Sequence, residues 1–394
     1  MTHASTLKSV VALLLFTSAC TDAGVAGSDA CRELAAQCLA DQQGCVEEPA
    51  GPRCVPCGVG SYADGSGACA PIQGAPLSNR FADFTTQPGE EIAGLCQSWT
   101  LGNATELWVN AVELNQNEAS HHSNWTFVPS DKFDGPDGVW PCDDREYDQL
   151  SAALTGGVLY AQSTQAMREV QKFPDNAALR IPPYSRIIGD VHVLNTTSAP
   201  VTGHAELTIY TLPADEVGAK LAPFHITYTG LDIPPLATSQ FSGECALDAT
   251  FQSITQKPLD MILYYGMPHT HSQGRRVFLE VIGGPQDGQS LLDVRGFNGE
   301  ARGVAYQPPV NLAGATGLRF GCEFENPRQE RIGWGLGDQE MCEMLGFIQS
   351  EIAFESRMQA ADAAPADGAM QRFTSPCTTA AFEWKDRTGG PAPE

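Results

Sequence analysis

Five of the chain's eight histidines fall into three small groups, His121-His122, His192 and His269-Thr270-His271, and a methionine, Met341, follows them. A thioether beside imidazoles is a ligand set for copper, above all Cu(I), rather than for zinc, magnesium or calcium. If the six residues gather in space, they describe two metal sites, one of three imidazoles and one of two imidazoles with a sulfur. On a strand, residues two apart share a face, so His269 and His271 can turn toward one ion. Adjacent residues face opposite ways, so His121 and His122 meet one metal only across a backbone bulge or through different ring nitrogens. Taken alone that pair is more often incidental. His192 lies in an apolar run, Ile187-Ile188-Gly189-Asp190-Val191-His192-Val193-Leu194, where a lone histidine is ordinarily a satisfied core residue. His204 and His225 read the same way. Met341 precedes Cys342, which can pair with Cys322. Such a bridge stabilises by about 3 kcal/mol, and it would hold Met341 as rigidly as a metal ligand requires.

The elements that must position these residues are strands. Residues 108–112, 186–194, 204–210, 261–265, 276–282 and 317–324 are β-rich, several with polar–apolar alternation, and Gly- and Pro-containing breaks separate them at short intervals. One helix is expected within 146–154. The expected fold class is all-β, built of antiparallel sandwiches. The stretch is too long for one sandwich, so two are expected, dividing near Pro234-Pro235. Residues 360–368 and 388–394 read as disordered.

The chain has 394 residues, 42% hydrophobic and 18% charged, with a formal net charge of −24. No Lys/Arg cluster is visible, so nucleic acid is excluded as a partner, and the acidity reads as solubility. Lys8 and the apolar run 10–16 form an export signal too short to span a bilayer. Thr17-Ser18-Ala19-Cys20 looks like a bacterial lipobox with Cys20 as the acylated residue; Thr17 stands where Leu is usual, so ordinary signal-peptidase cleavage stays open. The reading is an exported protein, a lipoprotein of the periplasm or cell surface held at the outer membrane by a lipid anchor at Cys20. Of 13 cysteines, removing Cys20 leaves twelve, which can all pair in an oxidising compartment. Six crowd into 31–69 and resemble an EGF-like disulfide knot. A zinc reading of Cys54-x-x-Cys57 lacks a second C-x2-C pair. The expected organisation is a signal peptide at 1–19, a lipidated tether with a six-cysteine module at 20–72, metal-binding domains at 80–235 and 236–384, and a disordered tail at 385–394.

In chain order the pieces run Cys96-Gln97-Ser98-Trp99, His121-His122, Val191-His192, His269-Thr270-His271 with Gly274-Arg275, Phe320-Gly321-Cys322, and Glu340-Met341-Cys342. This order and spacing resembles the copper type II, ascorbate-dependent monooxygenases, the family of dopamine β-hydroxylase and peptidylglycine α-hydroxylating monooxygenase, over residues 80–380. The resemblance implies two packed antiparallel, jelly-roll-like β-sandwich domains. It implies two coppers per chain: His121, His122 and His192 around an electron-storing ion, and His269, His271 and Met341 around the oxygen-binding, catalytic one. It implies bridges Cys96–Cys142, Cys322–Cys342 and Cys245–Cys377. The implied activity is hydroxylation of an activated C–H bond of a small organic substrate with O2, ascorbate supplying the electrons.

Two departures bear on substrate. Met267 stands where the peptide branch has a carboxylate-anchoring arginine, and Glu343 and Leu345 stand where it has Asn and Tyr. A glycine-extended peptide is therefore not expected, and Glu343 suits a cationic amine. Residues 123–125 are also more polar than is usual after the histidine pair. The competing readings are a non-catalytic copper-binding surface lipoprotein, an adhesion protein acting through the six-cysteine module, and a zinc hydrolase, which would want Asp, Glu or Cys in place of Met341. The sequence sets neither the substrate nor the oligomeric state.

Overall fold

The computed structural model describes residues 29–40, 42–117, 120–162, 166–174, 176–296, 303–335, 338–384 and 389–392. The chain divides into two compact units, residues 1–58 with 63–70, and residues 59–62 with 71–394. No helix among the described residues is long and apolar enough to cross a membrane; the expected signal peptide and Cys20 lie outside the described residues.

The smaller unit is held by cysteines. Cys31 and Cys38 are seven apart on the helix Asp29–Ala40, so they share its buried face. They bond to Cys45 and Cys54, which sit directly opposite each other in the hairpin of Gln43–Glu48 and Gly51–Pro56. A third bridge joins Cys57 to Cys69. The apolar cluster here is little more than these sulfurs and Leu34. A module this small gains most of its stability from such cross-links. Both cysteines of Cys54-x-x-Cys57 are thereby taken up in disulfides, which removes the zinc reading.

The larger unit is all-β, two packed β-sandwich layers of mostly antiparallel strands, as the residue pattern implied. Its first sheet is antiparallel throughout, in the order Gly138–Pro141, Glu91–Thr100, Ser185–Leu194, Ser120–Pro129, Gly157–Ala161. One face buries Trp125, Phe127 and Ile187 against Val109, Val112 and Leu114 of the second sheet. The fit is tight at Gly189, the partner of Trp125 across the ladder. A Cβ on Gly189 would come within 2.6 Å of the Trp125 ring, so only glycine lets the indole lie flat. The other face packs around the Cys96–Cys142 bridge with Trp140 and Tyr147. The expected helix is Gln149–Thr155, started by Asp148, whose carboxylate accepts from the Ser151 N–H at 2.7 Å.

The expected boundary at Pro234-Pro235 does not part the sheets. Ala219–Tyr228, from before it, is hydrogen-bonded to Glu343–Gln349 (antiparallel) and to Ile352–Met358 (parallel), both from after it. One continuous sheet of 16 strands among the described residues therefore serves both halves. The aromatic core follows it: Phe173 packs 4.8 Å from Phe347 and 5.8 Å from Tyr265, ring centre to centre. Side chains of this kind contribute about 1.5–3 kcal/mol each when fully buried.

A second expectation is corrected at 360–368. Asp362–Asp367 is a strand, antiparallel to Met370–Glu383, with Gly368 in the left-handed turn between them at φ 59°. It is a nearly fully exposed edge strand, so no buried face imposes alternation and its composition resembles that of a disordered tract. Of the expected disordered tail, residues 389–392 are described, and Gly390 donates to the carbonyl of Pro183 at 3.1 Å.

Cys245–Cys377 and Cys322–Cys342 are also bridged, so the twelve cysteines after Cys20 form six disulfides. All twelve are expected to resist alkylation in the native protein until a reductant is added; a rapidly labelled thiol at Cys322 or Cys342 would contradict this pairing.

Candidate metal centre

His122 and His192 meet across the ladder between Ser120–Pro129 and Ser185–Leu194. They are direct partners, but the next pair is Val193 with Ser120, which leaves His121 as the extra residue of a β-bulge. On the other edge of Ser185–Leu194, Val191 pairs with Leu95 and Val193 with Ile92. Ala93 and Gly94 thus stand opposite His192 alone, with Gly94 at φ 77°. The backbone irregularity that two adjacent histidine ligands need is therefore present at His121. The side chain of His121 itself lies outside the described residues.

The two rings meet nearly edge to face, with centroids 5.0 Å apart, and His192 Nδ1 lies 3.3 Å from His122 Nε2. Two nitrogens each about 2.0 Å from one ion at a near-tetrahedral angle stand about 3.3 Å apart, so this spacing fits a shared metal. The other nitrogen of His192, Nε2, is 2.8 Å from Glu91 Oε1. Donation from Nε2–H to the carboxylate fixes the tautomer that presents the Nδ1 lone pair toward His122, the arrangement by which carboxylates orient ligand histidines. Glu91→Gln is expected to weaken copper binding at this pair about 10–100-fold, measured by competition with a calibrated chelator; unchanged affinity would remove Glu91 from that role.

The second group is built by a turn. Strand Ile262–His269 ends at His269, and His271 follows in the turn that leads into Gly274–Ile282, so the two are neighbours without being on one strand. Their rings lie 5.2 Å apart. Glu340, 1% exposed, ties this turn to the segment carrying Met341. Its carboxylate accepts from the backbone N–H of His271 at 2.9 Å and of Gln273 at 2.7 Å, and His271 Nδ1 lies 2.8 Å from the Gln339 carbonyl. Burial pushes the Glu340 carboxyl up to about 7, against the pull of these N–H groups. The Cys322–Cys342 bridge fixes the next residue along. Glu340 escaped the sequence reading because its partners are backbone groups some 70 residues away, which no side-chain pattern reveals.

His122, His192, His269 and Met341 all line one cavity of about 560 Å³. The His122 and His269 rings are 5.9 Å apart, so His192, His122, His269 and His271 form a continuous row in which the two expected ligand sets adjoin. Among the described residues, no three side chains of the His, Cys, Asp or Glu types converge as a metal-holding group; the sulfur of Met341 is a donor of another kind.

The cavity floor is the sheet shared by both halves. Register places His269, Glu343, Thr227 and Arg357 in one cross-strand row, and Met267, Leu345, His225 and Glu355 in the next. Thr227 donates to Glu343 at 3.3 Å. His225 Nδ1 is 2.8 Å from Glu355 Oε2, and its Nε2 is 3.9 Å from Glu343 Oε2. Burial works against a charge on His225, but the two carboxylates outweigh it and raise its pKa. His225 had read as an ordinary core histidine. Its alternation with Pro223 and Thr227 is the one pattern that could have placed it on a site-facing side. At the mouth, Leu150 and Leu154 of helix Gln149–Thr155 and Trp334 are 40%, 43% and 41% exposed, large apolar groups left at the surface.

Comparison with known proteins adds little to this geometry. No family model matches the chain, and no curated protein matches it. Among solved structures it is similar to the major capsid protein P2 of bacteriophage PM2, at TM-score 0.31 and 8% identity, covering 70% of this chain and 97% of that one. It is also similar to a putative secreted protein from Parabacteroides distasonis, at TM-score 0.16 and 8% identity, covering 78% and 97%. These likenesses are too slight to bear on function.

Proposed function

We propose that the chain is a copper-dependent monooxygenase that hydroxylates an activated C–H bond of a small organic substrate, with O2 and a one-electron reductant such as ascorbate. The observation that carries this reading is that three of the expected imidazoles, on His122, His192 and His269, and the Met341 thioether line one cavity large enough for a small molecule. The donor set suits copper, and the 3.3 Å approach of His122 and His192 suits two ligands of one ion. His121, His122 and His192 would hold one copper, and His269, His271 and Met341 the other. Copper would supply one-electron redox chemistry and O2 activation.

The chain's own residues do the rest. Glu91 holds the His192 ring in one orientation. Glu340 and the Cys322–Cys342 bridge hold the His271 turn and Met341 together. Met267 and Leu345 form an apolar step on the floor beside His269 that sheds water from it. The six disulfides suit an oxidising compartment, in keeping with export and a lipid anchor at Cys20.

Metal analysis of the purified chain, followed by oxygen uptake with ascorbate and a panel of aromatic and aliphatic substrates, tests the proposal. Two coppers per chain and substrate-dependent uptake are expected. Copper bound without substrate-dependent uptake would turn the reading to a non-catalytic copper-binding lipoprotein.

A further inference from the structure

The polar row on the cavity floor constrains what can lie there. His225 has a carboxylate oxygen facing each ring nitrogen, Glu355 in hydrogen-bond contact at 2.8 Å and Glu343 in ion-pair range at 3.9 Å, an arrangement that favours the imidazolium. Arg357 Nη2 stands 3.6 Å from the other Glu355 oxygen. Two carboxylates thus face two cations, and the group is charge-balanced before any ligand arrives. The remaining carboxylates of the wall are also engaged: Asp148 caps its helix, and Asp190 accepts from the Gln149 amide at 2.7 Å. A cationic amine would find Glu343 and Glu355 already countered, and would bring an uncompensated charge into a half-buried site. An anion would meet two carboxylates. A neutral group that gives one hydrogen bond and takes one disturbs this balance least, and the Glu343 and Arg357 side chains, 24% and 37% exposed, stay within a ligand's reach.

We propose that His225, Glu343, Glu355, Thr227 and Arg357 form a subsite for a neutral hydroxyl group of the substrate, whose apolar body lies against Leu150, Leu154 and Trp334. The hydroxyl donates to Glu343 and accepts from Arg357. The row ends at His269, so the carbon next to the hydroxyl-bearing end is the one brought to the metal ligands. This goes against the amine that Glu343 alone suggested. It rests on the reading of this cavity as the substrate's.

The test is binding of three matched probes, 2-phenylethanol, 2-phenylethylamine and 3-phenylpropionate, to the full metal-free chain, followed by calorimetry and by NMR of the histidine side chains. The alcohol is expected to bind at least tenfold more tightly than either ion and to shift the His225 resonances. Glu343→Gln, which leaves the group net positive, should move preference toward the carboxylate; His225→Gln, which leaves it net negative, should move preference toward the amine. Tighter binding of either ion by the unaltered chain, binding of none of the three, or variants that keep the same preference would each overturn the subsite. Oxygen uptake with copper and ascorbate is measured separately. Alcohol binding with this pattern but no oxygen consumption would sink the monooxygenase reading and support the subsite.

Discussion

Met341→Ile abolishes substrate-dependent oxygen consumption while copper remains bound at the His122–His192 pair: that is the first expected result. Isoleucine is apolar and of similar size, so the cavity wall keeps its packing at a cost under about 1.5 kcal/mol. What is lost is the sulfur. A thioether favours the reduced ion, and with two imidazoles left the second site loses both a ligand and that preference. His122 and His192 are positioned by their own two strands, with Glu91 orienting the His192 ring, so their affinity should stand. Copper stoichiometry falling from two toward one per chain, with activity below about one hundredth of the parent, is the predicted pattern for loss of about 2.7 kcal/mol or more at the reacting centre. Retained activity would remove Met341 from the chemistry.

The second large effect is at the Cys322–Cys342 bridge. Both residues are fully buried, and their sequence separation is 20. Removing a bridge of this loop length costs about 3 kcal/mol; replacing both by alanine avoids leaving buried thiols or hydroxyls. Denaturant unfolding should report that loss as a lower midpoint. A second consequence is local. The segment from Gln339 to Cys342 is tied on one side by Glu340 to the His271 turn and on the other by this bridge. With the bridge gone, copper affinity at His269, His271 and Met341 should fall more than tenfold while the His122–His192 pair keeps its own. Stability lost with copper binding unaltered would show the bridge to be only a staple.

The all-β class was legible because alternation survives wherever a strand has one buried face, as in Ala205–Leu212. The six cysteines spread beyond the module were legible through the family resemblance, and their bonds are present. Position within the site was less so. His121 and His122 required a bulge, and a bulge depends on the partner strand's register, which local sequence does not record. Glu91, Glu340 and His225 each act through partners 69 to 130 residues distant, which no local pattern records. The boundary at Pro234-Pro235 was drawn where the chain turns; the hydrogen bonding runs across it because strand order in space ignores chain order.

The shared sheet has a consequence for how the molecule comes to be. Ala219–Tyr228 has one edge covered by Glu343–Gln349 and the second half of the other by Ile352–Met358, with Ala177–Ile181 at its start. His225 waits for Glu355, 130 residues later. Until those later strands pair with it, an apolar strand stands with much of both edges open, a template for pairing with another chain. The first half cannot finish folding ahead of the second, so the cavity and its row of histidines come into being together, in the last step.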